Sequence, residues 1–203
     1  MIRKQFFTFS LFYKSPACYR ELSNFLILPH PRTFRRYMST INSSVESKQE
    51  NIKYLKSQFS HLGEHEKFVA LKFDEIQIKS KVEYRGGKLY GLAENREDEL
   101  AHHIQAFMIK SISSNYSEMV RLTPVTRNNS DFLTLELKSI INDLESVGFK
   151  VVALTSDNAS INRNSFENIC LPNETYFLSE NHKDMWIYAF FDALHMIKSI
   201  RNN

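Results

Sequence analysis

Three apolar runs in this sequence each contain, or lead directly into, an aspartate. Lys67-Phe68-Val69-Ala70-Leu71-Lys72-Phe73-Asp74-Glu75-Ile76-Gln77-Ile78 carries Asp74 in its interior. Val151-Val152-Ala153-Leu154-Thr155-Ser156 delivers Asp157, and Trp186-Ile187-Tyr188-Ala189-Phe190-Phe191 delivers Asp192, with His195 three residues on. The β-branched and aromatic residues suit buried strands, where an unpaired charge is costly. Carboxylates at neighbouring strand ends can hold a hard cation such as Mg²⁺, which takes one or two carboxylates plus substrate phosphate oxygens. Two such ions about 3.5–4 Å apart activate a nucleophile and neutralise the leaving oxygen in phosphodiester cleavage. Asp74 and Asp157 are the candidate pair, with Asp192 and His195 as accessory groups for a ligand or a phosphate contact. Each has a plainer alternative: a strand-end acid on backbone amides for Asp74, an Asx turn or helix cap for Asp157, a buried polar pair for Asp192 and His195. Glu75 is directed to the opposite face of its strand, and His102-His103 is adjacent rather than at helical metal spacing.

Ser15-Pro16 is a helix start, with a capping hydroxyl and a proline at the first helical position, and the helix is expected to run to Leu26. Leu28-Pro29-His30-Pro31 stops it, and a second short helix is expected over 32–38. Helix, proline turn and basic helix resemble a helix-turn-helix unit, with Arg32, Arg35 and Arg36 placed for DNA phosphates. A helical hairpin with a solvated basic face is the plainer alternative. Residues 39–51 read as a polar linker, and Ile52, Leu55, Phe59 and Leu62 give an amphipathic helix over 50–62 that Gly63 ends. Such a face can dimerise, but packing on its own domain is the commoner use.

From Phe68 the period changes. The Asp74 strand, the Gly86-Gly87 turn, a return strand over 88–93 and a strand over 103–111 give an antiparallel meander of three. Ser130-Asp131 can cap a long helix bearing Phe132, Leu133, Leu137, Ile140, Ile141, Leu144 and Val147, stopped by Gly148. The Asp157 strand, a short helix at 161–170, and the Asp192 strand with a closing helix follow. The class is α/β, and this order of elements is that of the ribonuclease-H-like mixed sheet, preceded here by a small α-helical unit. The expected organisation is a helix-turn-helix-like basic region over 1–49, a connecting amphipathic helix over 50–66 and the ribonuclease-H-like domain over 67–203, truncated.

Composition is compatible with this reading. The 203 residues are 42% hydrophobic and 24% charged, which fits a folded chain with one sizeable core. A net charge of +3 does not by itself argue nucleic-acid binding, but the first basic residues, Arg3, Lys4, Lys14 and Arg20, precede any acid. Cys18 and Cys170 have no Cys-x-x-Cys companion, which disfavours a disulfide framework and a cysteine zinc site. No apolar run is long enough to cross a membrane. Lys14 interrupts the aromatic start and argues against a secretory signal, while a mitochondrial leader stays open. No Gly-rich phosphate loop follows any strand, so a nucleotide-binding doubly wound domain is disfavoured.

The residues resemble the P-element-type transposases, including domesticated vertebrate relatives with an N-terminal THAP zinc domain. The matching stretches are Ser15–Arg20 with Leu28–Arg36, Leu71–Glu75 with Tyr90-Gly91, Thr155–Asn162, and Phe191–Asn202. The resemblance implies a helix-turn-helix region before the ribonuclease-H-like domain, DNA as partner, a nuclear location, and cut-and-paste cleavage and strand transfer with Mg²⁺ or Mn²⁺. It also implies that Asp74 and Asp157 are the first two of three catalytic acids, and that His195 lies in an Asp/Cys-x-x-His motif. By the family pattern a GTP-binding insertion and the third acid come after Asn203, so no GTP site is expected within these residues. The expectation is a fragment or short isoform with impaired catalysis, DNA-binding and open as to homo-oligomer formation. The alternative is a catalytically silent domesticated DNA-binding or protein-interaction module.

Overall fold

The computed structural model describes residues 12, 15–33, 48–85, 88–96, 98–182, 184–193, 196–197 and 201. The chain divides into two units, Met1–Ser44 and Val45–Asn203.

In the first unit, helix α1 (Pro16–Ser23) begins where the sequence signals it, the Ser15 Oγ accepting from the Cys18 N–H at 3.2 Å. It stops three residues short of the expected Leu26. The Ser23 hydroxyl donates to the Arg20 carbonyl at 2.6 Å, the local side-chain bond that competes with helix continuation, and Asn24 caps the end. Tyr19 is fully buried, stacks edge-on with Phe12 at 5.3 Å, and donates its hydroxyl to the Pro29 carbonyl at 2.5 Å. That bond ties the helix to the proline turn. The second basic helix is described only through Thr33, so Arg35 and Arg36 lie outside the described residues.

The second unit holds a six-stranded mixed sheet. Its strands are β1 (Phe68–Gln77), β4 (His103–Ser111), β5 (Ser117–Val125), β6 (Lys150–Ser156), β7 (Tyr176–Leu178) and β8 (Trp186–Phe191), in the order β5-β4-β1-β6-β8-β7. Strands β1, β4 and β5 run antiparallel, β6 and β8 are parallel to β1, and β7 closes the edge antiparallel to β8. This is the ribonuclease-H-like arrangement.

The meander differs from the expected one in its members. Residues 88–93 do not enter the main sheet: β2 (Glu83–Arg85) and β3 (Lys88–Tyr90) pair only with each other. The third meander strand is β5, which sequence reading passes over. Its Glu118, Arg121 and Pro124 break the apolar signal, and an edge strand tolerates the missing proline N–H. Arg121 is mostly buried because Glu136 and Asp143, both on α3 (Ser130–Val147), pair with it at 3.1 and 2.7 Å.

Alternate residues give the sheet two unlike faces. Val69, Leu71, Phe73, Phe107, Ile109, Val151, Leu154 and Ile187 are buried in one core with Leu133, Leu137, Ile140, Ile141 and Leu144 of α3 and Phe166 of α4 (Ser160–Ile169). Each such side chain contributes about 1.5–3 kcal/mol by leaving water. Helix α2 (Lys48–Phe59) joins this core through buried Leu55, with Ile52 and Phe59 against it, so it is built into the sheet unit. Helix α3 is capped by Asn129, one residue before the expected Ser130, its side chain accepting from the Phe132 N–H at 2.8 Å. Gly148 ends it at φ 115°, a left-handed conformation, and a Cβ there would lie 2.6 Å from the Phe59 ring. Between Val69↔Val151 and Ala70↔Ala153 the β1–β6 register shifts by one residue, a bulge at Val152.

Candidate active site

The other face of the sheet carries the polar chemistry. Along β1, Lys72 and Asp74 alternate with buried Leu71 and Phe73 and are themselves exposed. After the bulge, β1 and β6 align Leu71 with Leu154 and Lys72 with Thr155. Ser156 is then buried and Asp157 emerges beyond it. On β8, Ile187 and Ala189 are buried while Trp186, Tyr188 and Phe190 are 43%, 43% and 52% exposed, and Asp192 follows in the same phase.

These placements converge. A cleft of about 260 Å³ is lined by Lys72, Asp74, Thr155, Asp157 and Asp192, with Met108 and Met119 on its apolar side. Asp74, within β1, and Asp157, just past the end of the adjacent β6, are far apart in the chain and open onto one cleft, and Asp192 joins them from the end of β8. The Asp192 N–H donates to the Ser156 carbonyl at 2.8 Å, which extends the β6–β8 pairing to the cleft. His195 lies outside the described residues. Arg32 is in the first unit and exposed, its N–H donating to His30 Nδ1 at 3.1 Å.

Both carboxylates are held by one oxygen. Asp74 Oδ1 accepts from the Glu75 N–H at 2.8 Å. Asp157 Oδ1 accepts from the Ala159 N–H at 3.1 Å and from Asn162 Nδ2 at 2.6 Å. The Asx-turn geometry weighed for Asp157 is thus present, and it uses one oxygen only. Among the described residues neither Oδ2 has a hydrogen-bond partner. Behind Asp74, buried Gln105 donates to its carbonyl at 3.2 Å and accepts from buried Asn128 at 2.7 Å. Glu75 instead reaches His103 at 3.4 Å, away from the cleft.

Two hard carboxylate oxygens beside a cleft form a donor set that suits Mg²⁺ or Mn²⁺, with water and phosphate oxygens completing the shell. Among the described residues no three of His, Cys, Asp and Glu are grouped closely enough to hold a metal on their own. Sequence reading did not single out Lys72, Thr155 or Asn162. Lys72 carried a signal, a charge in the same strand phase as Asp74, whereas Asn162 depends on a loop geometry that no local pattern reveals.

The fold and the acid-lined cleft place the second unit among ribonuclease-H-like domains. A family model described as "TNP-like, RNase H N-terminal domain" matches residues 44–169, and the chain belongs to that family of P-element-type transposase domains. It is similar to the transposable element P transposase of Drosophila melanogaster, 24% identical over 141 residues. That match covers 68% of this chain but only 17% of the relative. The solved Drosophila P element transposase strand transfer complex matches 96% of this chain and 42% of its own with a TM-score of 0.74; at 22% identity this shows the shared fold. A mariner Mos1 paired end complex with Mg matches 61% of this chain and 40% of its own at 14% identity and a TM-score of 0.26, too low to add to the comparison.

Proposed function

We propose that the Val45–Asn203 unit is the first part of the catalytic domain of a DNA transposase, and that Asp74 and Asp157 hold a divalent metal against a DNA phosphate. The observation that carries this reading is the pair of aspartates on adjacent strands, each with one oxygen pinned and both lining one cleft. Bound there, Mg²⁺ or Mn²⁺ would activate a water or 3′ hydroxyl and offset charge on the scissile phosphate. The protein's own contribution is placement. The parallel β1–β6 pairing fixes the two acids relative to each other, and Lys72 in the same phase supplies positive charge for a phosphate oxygen. Asp192 on the cleft wall is proposed as an accessory group at the phosphate side, and His195, three residues on in the sequence, as a second accessory residue.

Arg32, Arg35 and Arg36 are proposed as phosphate contacts in the first unit, where counterion release gives salt-sensitive affinity. Action on chromosomal DNA implies a nuclear location. The test is a nicking assay on duplex DNA with Mn²⁺ or Mg²⁺. Nicking should fall by at least about 10²-fold in Asp74→Ala and Asp157→Ala. Activity indifferent to both substitutions would remove the metal-site reading and leave a DNA-binding or interaction module.

A further inference from the structure

We infer that Asn162 is the positioning residue for the Asp157 carboxylate, setting the oxygen that Asp157 offers to a metal. This rests on the metal-site reading above. An ionised aspartate only accepts hydrogen bonds, so the amide at 2.6 Å presents its NH₂ to Oδ1. The Ala159 N–H reaches that same oxygen at 3.1 Å. The terminal torsion of an aspartate is broad by itself. Two donors on one oxygen, arriving from the loop and from the first turn of α4, fix it and direct Oδ2 away from them.

Asn162 is not needed to make the helix. The N-cap residue of α4, Ala159, has no side-chain cap, and asparagine is a poorer helix former than leucine or alanine. Nor does it hold the loop alone, because Arg163 Nη1 independently donates to the Asn158 carbonyl at 3.0 Å. The bond from Asn162 to the Asp157 backbone carbonyl is long, at 3.5 Å. Its short contact is with the carboxylate, as expected of a group that orients a metal ligand from behind.

The experiment measures Mn²⁺ affinity of the full 203-residue chain by electron paramagnetic resonance, alongside the thermal midpoint. Mn²⁺ binding should be lost in Asp74→Asn, which establishes that the signal reports the cleft. In Asn162→Ala and in Asn162→Leu, which keeps the volume and favours the helix, the Mn²⁺ Kd should rise about 10-fold or more with the midpoint held. Arg163→Ala, which loosens the loop without touching the carboxylate, should leave the Kd within about twofold. Affinity within twofold of the parent in both Asn162 variants, with Asp74→Asn still inactive in binding, overturns the positioning role. A rise in Kd matched by Arg163→Ala assigns the effect to the loop and also overturns it. Absence of Asp74-dependent binding in the parent chain removes the metal-site reading, and this inference with it.

Discussion

The two faces of the sheet are made by alternate residues of the same strands, yet they are governed by different physics. On the face against α3 and α4, Leu71, Phe73, Leu154 and Ile187 are held by close packing, and loss of volume is the dominant cost. On the face with the cleft, Lys72, Asp74 and Asp157 sit at or near water, where geometry matters and burial contributes little. One strand can therefore carry stability on odd residues and chemistry on even ones. Substitutions on the two faces should separate cleanly.

The largest effect is expected on the packed face. Leu137→Ala, fully buried at the centre of α3, should cost about 3–4 kcal/mol in chemical denaturation. A cost under about 1 kcal/mol would mean that the core is not packed as described. Gly148→Ala should cost about 2 kcal/mol, since its φ of 115° strains an L-residue and the added methyl meets the Phe59 ring. A smaller effect belongs to Tyr116, whose buried hydroxyl has no partner among the described residues. Tyr116→Phe should be neutral or stabilising by up to about 1 kcal/mol. Burial, with Glu118 and Tyr54 adding to it, pushes the Tyr116 hydroxyl up to about 12. A tyrosine raised above its unfolded value favours folding while neutral. Its contribution is present below pH 10 and is lost as pH rises toward about 12, and the phenylalanine variant should flatten that alkaline slope. Smallest of all, Asp74→Asn should change stability by no more than about 0.5 kcal/mol while removing metal binding. If it destabilised the chain as Leu137→Ala does, the division between the faces would fail.

The packed face was the more legible in the sequence. The 3.6-residue period of α3, the Gly148 stop and the β-branched and aromatic runs of β1, β6 and β8 are all local signals, and each appears where expected. Strand β5 was not legible because its Arg121 becomes a mostly buried residue only through Glu136 and Asp143 on α3, partners that no local window contains. The Gly86-Gly87 signal gave a hairpin but could not tell which sheet it would join, and β2–β3 stands as a pair by itself. At the site, Asp74 and Asp157 were visible as acids interrupting or ending apolar runs. Their shared cleft follows from the parallel pairing of β1 with β6, which the order of elements supplied. The pinning of Asp157 by Asn162 was invisible, since it requires the loop and the first turn of α4 to meet around one oxygen.

The Val152 bulge has a consequence for which way Asp157 looks. Counting alternately from Val151, which faces the helices, an uninterrupted strand would send Asp157 inward as well. The additional residue changes odd to even, so that Leu154 goes in and Asp157 comes out beside Asp74. Smoothing the bulge while keeping Val152 in the strand would turn the acid into the hydrophobic interior and a leucine toward water, whereas deleting Val152 itself would restore plain pairing and leave Leu154 in and Asp157 out. The bulge thus sets the phase of β6 beyond it: loss of Val152 alone should leave Asp157 at the cleft, whereas loss of one residue between Leu154 and Asp157 should turn the acid inward.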